Sequence, residues 1–167
     1  NRGAKGKHWT NLRACSFFDD FKEIKIIWIE LTDGGRFAIC KDEIYLLNSA
    51  YFLLPPKGVD PYFLLAVLNS NLINFYFDLV AGTSGMGTKR WINTYVENIP
   101  IPKASPQFQN HIGQMAKQLS ILLSSTSLYS RGKLEQIEIL EKSINNAIYD
   151  LYFLTPSEIE TIENFKD

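Results

Sequence analysis

The sequence predicts an α+β protein: a small, mostly antiparallel β-sheet region with a packed helix, followed by a C-terminal helical hairpin and a short terminal helix. Three observations lead there. A β-branched and aromatic run from Ile24 is followed by the turn residues Thr32-Asp33-Gly34-Gly35 and a second such run, Arg36 to Cys40. Asp60-Pro61 and Ser105-Pro106 each join a capping residue to a proline suited to the first helical turn. Beyond residue 134, apolar residues recur at spacings of three and four.

Taken in order, residues 1–13 hold Arg2, Lys5, Lys7, His8 and Arg13 with no acid and two glycines, the composition of a linker end. Ile24 to Leu31 and Arg36 to Cys40 form a hairpin. The short runs Ile44 to Leu47 and Tyr51 to Leu54 add strands before Pro55-Pro56 closes the sheet. From Asp60-Pro61 an apolar stretch through Phe77 is long enough for one buried helix of four turns. Its Asn69, Ser70, Asn71 and Asn74 are expected to hydrogen-bond to backbone, since an unpaired buried amide costs about 1–3 kcal/mol. Next, 82–91 reads Gly-Thr-Ser-Gly-Met-Gly-Thr-Lys-Arg-Trp, a flexible loop rich in donors. Ile99-Pro-Ile-Pro102 cannot supply a central-strand ladder and turns the chain out of the sheet. A helix from Ser105-Pro106 to about Ser124 carries Ile112, Met115, Leu119 and Leu122 on one stripe, and a Ser/Thr-rich break at 124–127 ends it. Leu134 to about Tyr152 pairs with it through Leu134, Ile137, Leu140, Ile144, Ile148 and Leu151. Thr155-Pro-Ser-Glu158 has the form of a capping box and starts a last helix through Phe165. The domain boundary falls between 1–103 and 104–167.

With 167 residues, 46% hydrophobic and 13% aromatic, the chain can fill a core, which excludes disorder as its main state. The net charge of -1 hides an asymmetry: residues 1–133 carry 15 Lys/Arg against 10 Asp/Glu, whereas 134–167 carry 2 against 8. Body and tail are therefore expected to do different jobs. Two cysteines, Cys15 and Cys40, make no disulfide framework and predict reduced core thiols and a cytoplasmic setting. The longest apolar run, Tyr62 to Leu68, is far short of the roughly 20 residues of a spanning helix, so no membrane partner is expected. The opening Asn-Arg-Gly-Ala-Lys predicts a piece cut from a longer polypeptide.

Most familiar chemistry is missing. Gly82 and Gly87 have phosphate-loop spacing, but Thr88-Lys89 reverses the required order and no strand precedes the loop; Arg90 stands where a dinucleotide fingerprint needs its third glycine. His8 and His111 are too few for a metal cluster or a Ser-His-Asp arrangement. Asp19, Asp20 and Glu23 before Lys25 could suggest a nuclease metal site, yet such carboxylates must converge from separate strands, and these lie within seven residues. They read as a solvated approach to a strand. What remains is Arg36 beyond the hairpin turn, the loop after Gly82 and the basic lead-in. Arginine can pair with guanine O6 and N7, and Lys, Ser and Thr can reach phosphates or base edges. An ordinary surface arginine paired with Asp33 or Glu97 is the alternative.

The string Tyr62-Phe-Leu-Leu-Ala-Val-Leu-Asn-Ser-Asn-Leu-Ile-Asn-Phe-Tyr-Phe77, the glycine-rich loop ending Lys-Arg-Trp, and Tyr95-Val-Glu-Asn-Ile-Pro-Ile-Pro102 together resemble the TaqI-like C-terminal specificity domain. That family supplies the target-recognition domain of adenine-N6 DNA methyltransferases and of fused type IIG restriction enzymes. The opening 12–28 and the close 148–158 also look like that family, and the Ile-Pro-Ile-Pro exit is similar to specificity subunits of type I restriction systems. The resemblance implies sequence-specific recognition of double-stranded DNA through Thr32, Arg36, Thr83, Ser84, Thr88, Lys89, Arg90 and Trp91. It implies no catalytic residue, cofactor or metal in this chain. S-adenosylmethionine, and magnesium if the parent cleaves, would belong to a methyltransferase or endonuclease part of the same polypeptide, and the helical tail would dock on that catalytic part or on itself. Pro55-Pro56 follows Leu54 and precedes Lys57, so the methyltransferase Asn-Pro-Pro-aromatic motif is absent here. The rival reading is a protein-interaction module built on the acidic tail; an enzyme with an unrecognised site is the third.

Overall fold

The computed structural model describes residues 16–82, 88–125 and 130–165. After a 3-10 turn at Asp19–Lys22, strand β1 (Lys25–Ile29) sits between β2 (Ala38–Cys40) and β3 (Ala50–Leu53), antiparallel to both. Ile26 pairs with Ile39 on one side and with Leu53 on the other. The expected strand at 44–47 does not form. Because β2 and β3 flank opposite edges of β1, residues 41–49 must cross from one edge to the other and cannot pair on the way. Tyr45 from this crossing lies on Phe21 and Phe18, with centroids 5.1 and 5.4 Å apart.

The single helix expected from Asp60 is two, α1 (Pro61–Leu68) and α2 (Asn71–Val80), bent by 56°. Asp60 caps α1 by accepting from Phe63 N at 2.8 Å, and Ser70 restarts the helix by accepting from Ile73 N at 3.3 Å while its hydroxyl donates to Val67 O. Asn69, at the break, turns its amide away to the sheet side. A one-turn helix, α3 (Asn93–Val96), precedes the proline segment. Then α4 (Pro106–Ser124) and α5 (Arg131–Leu151) pair, and α6 (Pro156–Glu163) closes the fold. Helix α4 packs on α1 and α5 on α4; Ile112 of the first predicted stripe, with Ala116 beside it, and Ile144 and Ile148 of the second join one buried cluster. Gly113 lets α4 come so close that an added Cβ would stand 2.4 Å from the Asp60 carboxylate.

One buried cluster runs from Ile26 and Trp28 of the sheet through Phe63–Leu68 of α1 to Ile144 and Ile148 of α5, so the core continues across residue 103. Cys40 is a buried free thiol, and Cys15 lies outside the described residues. Among the described residues no single helix is long and apolar enough to cross a membrane.

Candidate nucleic-acid interface

The connection between β1 and β2 and the chain around 88–91 come together at one end of the sheet. Glu30 follows β1, and its carbonyl accepts from Trp91 N at 2.7 Å; Leu31 and Arg90 form a bridge beyond it. Trp28 Nε1 donates to Trp91 O at 2.6 Å, and Arg90 N donates to Gly82 O at 3.2 Å, closing the neck of the glycine-rich loop. The Trp91 ring stacks on Phe77 with centroids 3.5 Å apart and meets Phe37 edge-on. Gly35 lies against it so closely that a Cβ would stand 2.8 Å from the indole. The segments bearing Arg36 and Arg90 are therefore neighbours.

Two asparagines shape the first of these segments. Asn69 accepts from Phe37 N at 2.9 Å and donates to Phe37 O at 3.0 Å, as a neighbouring strand would. Asn74 accepts from Gly35 N and donates to Ser70 O. Both belong to the polar set expected to satisfy backbone, and the targets lie more than thirty residues away. Asn71 instead receives its bonds from the tail: Asn145 Oδ1 accepts from Asn71 N, and Asn71 Nδ2 donates to Glu163.

The eight residues named from the sequence separate into distinct groups. Thr83 and Ser84 lie outside the described residues. Trp91, 2% exposed, is a core residue, because the aromatic box of Phe77 and Phe37 encloses it; its expected place on a DNA-facing surface is corrected accordingly. Its buried Nε1 has no hydrogen-bond partner among the described residues. Thr32 is likewise buried, at 8%. Thr88 is half-buried. Lys89 Nζ bonds the Asp78 carboxylate at 2.7 Å and the Asp78 carbonyl at 2.8 Å, which ties the loop to α2. Arg90 has a carboxylate partner, and it is Glu30 rather than Asp33 or Glu97: Nε and Nη2 reach Glu30 Oε1 at 3.1 and 2.5 Å. Tyr51 donates its hydroxyl to the other Glu30 oxygen at 3.3 Å. The bond from Arg90 holds the Glu30 carboxyl below its ordinary pKa, and Glu30 in turn raises that of Arg90. Arg36 is exposed and makes no ion pair among the described residues.

Beside β2 an open groove of about 1760 Å³ separates the sheet edge from α4 and α5. Arg36, Lys41 and Lys142 line it together with Asp42, Glu138, Glu141 and Glu163. Burial, reinforced by Glu138, pushes the Glu141 carboxyl up. A wall this rich in carboxylates does not suit a phosphate backbone, so the α5 side of the groove is a poor DNA channel.

Lys25 has no free amine for assisting a metal-bound water. It is fully buried and donates to the carbonyls of Phe21, Glu23 and Asp42 at 2.7, 3.1 and 2.8 Å, stapling the 3-10 turn and the 41–49 crossing to β1. Asp19 pairs with Lys22. Among the described residues no three His, Cys, Asp or Glu side chains gather as a metal site. Sequence reasoning missed Glu30 and Tyr51. Their signal was weak: a strand-end acid and an aromatic across the sheet, whose pairing depends on the β1–β3 register.

An antiparallel sheet backed by α1 thus carries two converging loop segments at its end. Residues 3–101 match the TaqI-like C-terminal specificity domain, and the chain belongs to that family. It is also 28% identical over 150 residues to the type II methyltransferase M.MjaIV of Methanocaldococcus jannaschii, covering 86% of this chain and 47% of that protein. The chain thus spans about half the length of this curated relative.

Proposed function

We propose that the chain is the sequence-specific DNA-recognition module of a restriction–modification or phage-defence adenine-N6 DNA methyltransferase, without chemistry of its own. Membership of a specificity-domain family and likeness to a type II methyltransferase support the reading. The observation that carries it is the convergence of 32–36 and 88–91 on one end of the sheet, with half-exposed Arg90 and exposed Arg36 on segments fixed from the core. Rigidly held donors on loops are what base reading requires. S-adenosylmethionine, and magnesium if the parent cuts, would be handled by a catalytic part of the same polypeptide.

Fluorescence anisotropy with duplex DNA tests this. Weak binding is expected, with affinity falling as salt rises, because a few phosphate contacts release counterions. Affinity unchanged between low and moderate salt would refute a surface that contacts phosphates. Incubation with radiolabelled S-adenosylmethionine, or with magnesium and plasmid, is expected to give neither methyl transfer nor cleavage.

The rival interaction reading has its own support in exposed Ile121, Leu123, Leu134 and Ile139 on the helical hairpin, beside the acids of α5. The same titration separates the two, since a pure protein-docking module binds DNA at no salt.

A further inference from the structure

We infer that Arg90 reads a guanine base edge, with Glu30 as the positioning residue that presents it, while Arg36 supplies a phosphate-type contact. The inference rests on the DNA-recognition reading and adds which donor reads sequence and how it is held.

An arginine offers five N–H donors on a planar fork. Glu30 takes the side edge of Arg90, engaging Nε and one Nη2 hydrogen through a single carboxylate oxygen. The end edge, with one N–H from each Nη, has no partner among the described residues, and half of the Arg90 side chain is exposed. Two parallel donors at that spacing match the O6 and N7 acceptors of guanine in the major groove. Glu30 is itself fixed: its side chain is only 20% exposed, its second oxygen accepts from the Tyr51 hydroxyl, and its backbone carbonyl accepts from Trp91 N. Tyr51 is held by stacking on Trp28, 5.6 Å between centroids. The fork is therefore aimed before any ligand arrives, which lowers the ordering cost of a directional contact.

Charge decides between base and phosphate. With Glu30 against it, Arg90 is close to electrically neutral as a pair, and the carboxylate repels a phosphate while leaving the outward N–H dipoles intact. The guanine edge carries only partial charges on O6 and N7, so it loses much less to that repulsion than a phosphate does. Lys89 is neutralised in the same manner by Asp78. Arg36, exposed and without an ion pair among the described residues, keeps its full charge for a phosphate.

The test is selection of the full 167-residue chain, and of single variants, against a randomised duplex library, with salt titrations on the enriched sites and thermal melting of each protein. The native chain is expected to enrich a motif containing a guanine position at which replacement costs about tenfold in affinity. Arg90→Lys should erase that preference, leaving the other positions and the salt slope unchanged. Glu30→Gln should relax the same position and steepen the salt slope by about one contact, because Arg90 then carries uncompensated charge. A merely structural role for Glu30 would not raise the salt slope. Tyr51→Phe keeps the ring and should weaken discrimination at that one position, which preserves the test if Glu30→Gln melts early. Arg36→Ala should lower affinity for all sequences alike and reduce the slope by about one. An enriched motif that Arg90→Lys leaves intact overturns this inference alone, as does an Arg90→Lys protein that weakens on every sequence with a shallower slope. No enriched motif from the native chain overturns the recognition reading together with it.

Discussion

The loop-bearing end of the sheet and the helical hairpin both satisfy their backbone polar groups, by opposite means. In the hairpin and the α6 that follows it the partners are local: Ser105 and Ser130 accept from N–H groups three residues on, and the Glu158 carboxylate accepts from the N–H and hydroxyl of Thr155. At the sheet end they are remote. Gly35 and Phe37 are held by Asn74 and Asn69, and the Trp91 carbonyl by Trp28, sixty-three residues away. A locally satisfied element keeps its shape when its surroundings change, whereas a remotely satisfied loop is only as well placed as the core beneath it. The segments that carry the candidate recognition residues are of the second kind.

The largest break in this contrast comes from Trp91→Ala. Removing an indole enclosed by Phe77 and Phe37 is expected to cost about 3–5 kcal/mol and to release both segments at once. Urea denaturation gives the cost, and amide exchange should show lost protection at 32–37 with α5 still protected. Equal loss of protection in α5 would mean the two regions are not separable. Asn69→Ala is next, at about 1–3 kcal/mol, since it leaves the N–H and carbonyl of Phe37 unpaired. Asn69→Asp keeps the acceptor for Phe37 N but faces a carboxylate oxygen toward the carbonyls of Phe37 and Leu65, so it should be at least as weak as Asn69→Ala; an Asp variant more stable than Ala would show that acceptance from Phe37 N outweighs that repulsion.

The same contrast explains what could be read in advance. Helices α4, α5 and α6 follow from Ser105-Pro106, the three-and-four spacing beyond 134 and Thr155-Glu158, all signals within a turn or two of chain. The hairpin of β1 and β2 and the identity of β3 were legible for the same reason. The break between α1 and α2 was not, because Asn69 leaves the helix to serve Phe37, a demand set elsewhere in the fold. Of the candidate site, the sequence showed two arginines close to glycine turns, and the structure brings their segments together. That Trp91 faces inward, and that Glu30 claims Arg90, follows only from the register that brings 88–91 beside the end of β1.

Alkaline pH probes the helical side. Burial pushes the Tyr152 hydroxyl up to about 12, and burial with the Glu163 hydrogen bond raises Tyr149 as well. A phenol whose pKa is higher in the folded state than in the unfolded chain stabilises fully below the unfolded value, near 10, and that stability is lost as pH rises toward the folded value. Stability should therefore fall between pH 10 and 12 by at most about 1.4 kcal/mol per pH unit for each tyrosine. Tyr152→Phe should flatten that limb, measured by urea midpoints across the range; an unchanged slope would show that Tyr152 ionises freely in the folded protein.

The smallest effect sharpens the contrast by improving a local signal. Helix α5 ends with Phe153 at φ +56°, where Phe153 N donates to Asp150 O and Leu154 N to Tyr149 O. This is the left-handed terminus that usually carries glycine. A side chain there crowds its own carbonyl at a cost of roughly 1–2 kcal/mol, and the Phe153 ring recovers little, being 91% exposed. Glycine removes the crowding but adds freedom to the unfolded chain, which offsets about 0.5–1 kcal/mol. Phe153→Gly is thus expected to stabilise the protein by about 0.5–1 kcal/mol, read as a higher urea midpoint with an unchanged slope. Because the change is confined to a locally satisfied helix end, DNA affinity and the protection of 32–37 should not move. A destabilised Phe153→Gly protein would mean that the exposed ring makes a contact the isolated chain needs, and the helical side would then depend on remote partners as the loop end does.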